Sequence, residues 1–106
     1  MSVTANQQLC KQPSEKRKFA MEFANLLTEN EEISSIDSIT HETIDGGSSD
    51  LTLTLPVITN GVATNSKVTV WIEGGTAIKV YRIEVIVSTN NGQILEGDGL
   101  LKVTDR

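Results

Sequence analysis

One histidine, His41, and one cysteine, Cys10, are the only side chains of their kinds in 106 residues. A nucleophile is weak unless a base stands within hydrogen-bond reach, and His41 is the sole imidazole that could serve. No nucleophile-elbow pattern surrounds any serine, so no Ser-His-Asp arrangement is predicted. His41 reads as a surface residue in or just after the strand that ends near Thr40. Cys10 stands apart from any cluster and reads as a bystander thiol; as the only cysteine it excludes an intrachain disulfide and a multi-cysteine metal site. Gly74 and Gly75 lack the spacing of either phosphate-binding glycine motif and read as turn residues. Asp45, Asp50, Glu96 and Asp98 offer the oxygen ligands that calcium takes, but without EF-hand spacing they read as solvated loop acids. Trp71 presents a ring suited to stacking on a sugar, yet a tryptophan on an internal strand reads first as core. With 4% aromatic residues a sugar-binding surface would be poorly stocked. The expectation is therefore no catalytic, cofactor-binding or metal-ligating residue, no cofactor, and no enzyme.

Composition bounds the remaining classes. A chain of this length suits one domain with one modest core, and an apolar share of 38% argues against disorder throughout. A net charge of −5 and a pI near 4.7 oppose nucleic-acid binding, which needs Lys and Arg clustered on one face. The start of the chain has no basic region followed by an apolar run, so no secretory signal is predicted. No segment has the roughly 20 apolar residues that span a bilayer. The expected protein has no nucleic-acid or membrane partner and is made in a cytoplasm.

The elements follow from periodicity. Lys67 to Val103 organises the chain, read as consecutive antiparallel strands: Val68-Thr-Val-Trp-Ile, Tyr81 to Thr89, and Gln93 onward to Val103. Tyr81, Ile83, Val85, Val87 and Thr89 form one apolar face, so a one-residue slip would expose all of it. Asn90-Asn91-Gly92 supplies the positive φ values of a tight hairpin turn. Gly97 and Gly99 point to a bulge or a close approach. Leu51-Thr-Leu-Thr-Leu is the cleanest alternation, with three leucines inward, and Pro56 stops that strand or places it at an edge. Isoleucines at 33, 36 and 39 suit a strand with a bulge near Ser34 or Ser35. Lys18 to Phe23 reads as a strand, although Phe19, Phe23 and Leu26 or Leu27 also fit a helix. Residues 1–14 read as an extended or disordered arm and 15–106 as the domain. Lys11, Lys16, Arg17 and Lys18 read as a solvated basic run. About seven short strands separated by polar turns predict an all-β, immunoglobulin-like or fibronectin-like antiparallel sandwich.

Val70-Trp-Ile-Glu-Gly-Gly-Thr followed by Tyr81-Arg-Ile-Glu-Val-Ile-Val-Ser-Thr-Asn-Asn-Gly resembles the closing half of small tailed-bacteriophage virion proteins called fibre-tail adaptors. Lys11-Gln-Pro, Glu22-Phe23-Ala and Leu26-Leu27 before Glu32-Ile33-Ser34 resemble the opening half more loosely. Glu22 stands where the family has Asp, and Ile78-Lys79 where it has a glycine before the tyrosine strand. The resemblance implies a non-enzymatic virion structural protein, an adaptor joining fibres to the tail or neck. Its implied partners are tail, neck, fibre or major capsid proteins and copies of itself, and its implied location is the virion. A capsid cement or decoration protein is the alternative within that class, and a carbohydrate or host-surface binding module is a second one.

Overall fold

A computed structural model describes residues 2–4, 9–45 and 47–104, with the main chain alone for 2–4 and 9. Its elements are β1 (Ser2–Thr4), β2 (Leu9–Lys11), β3 (Arg17–Glu22), a 3-10 turn (Ala24–Leu26), β4 (Ile33–Thr43), β5 (Leu51–Thr59), β6 (Lys67–Gly74), β7 (Lys79–Thr89) and β8 (Ile94–Val103). They form two layers. One runs β8-β7-β4, with β1 and β2 sharing the outer edge of β8; the other runs β3-β6-β5. β1 and β2 occupy one position, so the layers hold four and three positions, seven in all, as expected for an all-β sandwich. Those two short strands are parallel to β8, and every other pairing is antiparallel.

The core is where the alternating faces meet. Tyr81, Ile83, Val85 and Val87 of β7 face Val68, Val70 and Ile72 of β6, with Phe19, Met21, Phe23, Leu101 and Val103 around them, all buried. Each such side chain contributes about 1.5–3 kcal/mol on burial, which sets the register of both central strands. β6 and β7 do not pair with each other, contrary to the continuous run of neighbours read from the sequence. The 75–78 connection carries the chain from one layer to the other. Gly75 permits that passage: its φ is +99°, and a Cβ there would lie 2.8 Å from Val103 Cγ2 and 3.1 Å from Leu51 Cδ2.

Three further expectations are corrected. Trp71 is not core: inner positions on β6 go to Val68, Val70 and Ile72, and Trp71 lies half-buried on the outer face, 6.0 Å beneath the Lys18 ammonium. The opposite register would bury Lys67 and Glu73 along with the indole. Leu55 does not face inward. The β5–β6 register shifts between Thr54 and Val57, and Leu55 sits there at φ +54°, 65% exposed. Lys11 is not solvated; it is 1% exposed, whereas Lys16, Arg17 and Lys18 are exposed.

Elsewhere the periodicity holds. β3 is a strand, not a helix, and the 3-10 turn follows it. β4 carries two register shifts, between Ile33 and Ser35 and between Ile36 and Ser38, which accounts for the three-residue isoleucine spacing. β8 is unbulged at its glycines. Gly97 instead admits side chains of the facing layer: a Cβ would meet Met21 Sδ at 2.2 Å and Phe23 Cζ at 2.8 Å. Of the arm read from the sequence, Met1 and residues 5–8 lie outside the described residues, as does Gly46 of the 45–50 loop.

Candidate functional site

The residues able to do chemistry are dispersed. Cys10 is exposed on β2, and His41 lies on β4, where Nδ1 is 2.7 Å from Ser49 Oγ. β2 and β4 are the two edges of one layer with β8 and β7 between them, three inter-strand steps of about 4.8 Å. The thiol and the imidazole are not a pair.

The loop acids also part company. Asp50 holds a corner: Tyr81 OH donates to Oδ1 at 2.6 Å and Thr76 Oγ1 to Oδ2 at 2.6 Å, while Thr76 N–H donates to Tyr81 OH at 2.8 Å. Those hydrogen bonds hold the Asp50 carboxyl below its usual range, and burial together with the Asp50 contact pushes the Tyr81 phenol up. Asp45 accepts from Thr43 Oγ1 and from the Gly47 N–H, which likewise lowers its pKa and closes the turn.

Glu96 and Asp98 do meet, with a third acid the sequence did not single out. Glu84 faces Asp98 across β7 and β8, and oxygens of Glu84, Glu96 and Asp98 lie within 4.8 Å of one another on the outer face. Burial first, then the charges of Asp98 and Glu96, raise the Glu84 pKa. Three carboxylates could touch a divalent cation but fall short of the six to eight oxygens that calcium takes.

Two buried charges went unnoticed in the sequence. Lys11 Nζ donates to the carbonyls of Gly74 at 2.5 Å and Gln12 at 2.7 Å. It thereby ties the end of β2 to the turn that ends β6 in the opposite layer. Burial pushes the ammonium pKa down, and Glu15, Glu73 and Asp50 pull it back. Glu31 accepts from Thr89 Oγ1 at 2.5 Å, Thr28 N–H at 2.8 Å, and Gln93 Nε2 at 2.8 and 2.9 Å. Its carboxyl is lowered to about 2, first by Thr89 and then by Thr28 and Gln93. Neither could be read from spacing, because beside the local partners Gln12 and Thr28 the decisive ones are distant: Gly74 lies 63 residues from Lys11, and Thr89 and Gln93 lie 58 and 62 from Glu31.

The polar groups thus hold corners, turns and layer junctions, and what the molecule presents outward is sheet faces, strand edges and loops. That defines the class as a small all-β sandwich module. The family model described as "Podophage GP4 fiber-tail adaptor protein gp77" matches residues 11–102, nearly the whole sandwich, and the chain belongs to this family of podophage fibre-tail adaptors. A search of curated proteins finds no match. No helix among the described residues is long and apolar enough to cross a membrane.

Proposed function

We propose that the protein is a non-enzymatic structural component of the virion, an adaptor that joins fibres to the tail or neck. The observation that carries this reading is the family match, which begins at Lys11 and covers β3 to β7 and nearly all of β8. The module is read as immunoglobulin-like. Its three-stranded layer β3-β6-β5 and opposing β4-β7-β8 follow the order of that Greek key. Tyr81, at the start of β7 with its hydroxyl bound to the main chain five residues upstream, matches the corner those domains use. Residues 1–14 are read as an arm of the 15–106 domain, a reading supported by the pairing of Ser2–Thr4 and Leu9–Lys11 with β8. Contact with tail and fibre proteins then comes from edges and loops, with copies arranged by virion symmetry.

Quantitative mass spectrometry of purified virions tests the reading. A copy number matching a tail or neck ring supports the adaptor. Shell-like abundance would favour capsid cement, and absence from the particle would remove the virion role. Trp71 is the observation that keeps a carbohydrate module in view. Quenching or shift of its fluorescence by host-surface glycans would support that second reading, and silence across a glycan array would dispose of it.

A further inference from the structure

On the adaptor reading, we propose that the free edge of β3 takes up one extended segment of a tail or fibre protein as an added strand, acidic where it passes Lys18. A two-layer sandwich has four edges, and three of these are blocked. One edge of the larger layer is β1 and β2, two strands of three residues each, too short to template a partner. β5 is broken by its register shift, with Leu55 at positive φ and Pro56 beside it. β4 is bulged twice in its first half. The 44–50 connection covers its second half, where Thr43 N–H donates to Gly47 O at 3.2 Å and His41 meets Ser49. Bulges, proline and covering segments are the devices that keep edges from pairing.

β3 has no bulge, proline or covering segment among the described residues; the one edge device it carries is Lys18, whose charge opposes a basic partner strand and not an acidic one. The strand pairs with β6 over six consecutive residues without a shift. Phe23 N–H donates to Ser66 O at 2.8 Å, which fixes the odd-numbered residues as those bonded toward β6. By alternation the N–H and C=O groups of Lys18, Ala20 and Glu22 point away. No described residue bonds them.

The offset of the layers shapes the vacancy. Met21 and Phe23 lie over Gly97, so β3 sits above β8, and β1 and β2 project one strand further. The space beside β3 is a step about 5 Å wide, the spacing of one strand. A second copy presenting its own β3 edge side by side would drive its β1 and β2 against those of the first in the opposite layer, whereas a single strand fits. Lys16, Arg17 and Lys18 are exposed at the start of this edge. At its far end Glu22 is turned onto Val62 N–H at 2.9 Å and Ala24 N–H at 3.2 Å. The free charge along the edge is positive, which selects an acidic strand, while the main-chain ladder supplies the common part of the affinity.

The test is binding of the purified full chain to the purified tail and fibre proteins of the same phage, read with amide hydrogen exchange. Slowed exchange at Lys18, Ala20 and Glu22 on binding is the expected result. Ala20→Pro removes an N–H that faces the vacancy and leaves the β6 ladder intact; it should weaken binding about tenfold or more. Lys18→Glu, at an exposed position, should weaken binding at low salt and lose that effect at high salt. Unimpaired binding by both variants, with no new protection at the three amides, overturns the edge assignment and leaves the adaptor reading standing. Failure to bind either protein overturns both.

Discussion

Glu31 is 3% exposed and ionised, which is tolerable only because hydroxyl, amide and main-chain donors surround it. Its folded pKa of about 2 lies below the ordinary 4.5, so its stabilisation is present above the ordinary value and is lost as pH falls from there toward 2. The melting temperature should therefore drop steeply across that interval. Glu31→Gln should lower it at neutral pH and flatten the acid limb. An unchanged profile measured by circular dichroism would contradict this account.

Glu84 has the opposite sign. Its pKa is raised, so the folded state is favoured below the ordinary carboxylate range and penalised as pH rises through the folded value. Glu84→Gln should then stabilise at neutral pH by about 0.2–1 kcal/mol, the scale of a like-charge cross-strand pair. High salt should shrink the gain, and equal melting curves for the two proteins at low salt would show that the carboxylates do not repel.

At the scale of elements, the extents of β6, β7 and β8 were legible and so was the inner face of β7, set by Tyr81, Ile83, Val85 and Val87, whereas the place of Trp71 and the strand neighbours of β6 were not, because both depend on the opposite layer. Leu51-Thr-Leu-Thr-Leu was legible only as far as Thr54. Alternation predicts direction solely while the ladder stays in register, and the shift before Val57 turns Leu55 outward. A leucine at φ +54° is strained where glycine is not. Leu55→Gly should leave stability unchanged or raise it by up to about 1 kcal/mol, measured by urea unfolding; a loss above that would place Leu55 in a contact the fold needs.

The glycines of β8 were read as marking a bulge or a close approach; the strand has no bulge, and at Gly97 the approach is of side chains from the other layer. Gly97→Ala should cost about 1–3 kcal/mol by overpacking, because its Cβ would meet Met21 and Phe23. Met21→Ala in the same chain should recover part of the loss. Strict additivity of the two changes would exclude that contact.

For the whole molecule, the strand pattern pointed to an all-β sandwich and the resemblance pointed to the family. The edge that stands open was illegible, because an edge is defined by what fails to pair with it. The same reasoning makes β8 a concealed edge. A chain beginning at Lys11 keeps the matched family region but uncovers main-chain groups along Glu96–Asp98 and around Leu101 and Lys102. It should fold and associate with rising concentration, detectable by light scattering; a strictly monomeric product would show that β1 and β2 do not guard that strand.

The pairing of β1 and β2 with β8 also bears on how the chain reaches this state. Among the described residues, β1 and β2 pair in the sheet with β8 alone, more than 90 residues further along the chain, and β4 pairs with β7 across about 40 to 55 residues. Such distant partners make folding slow relative to helical domains, and β1, β2 and one edge of β7 stay unpaired until β8 emerges. β8 is thus a timing element: its arrival pairs β7 on one side and β1 and β2 on the other in one step, which shortens the interval in which exposed strands could find the wrong neighbour.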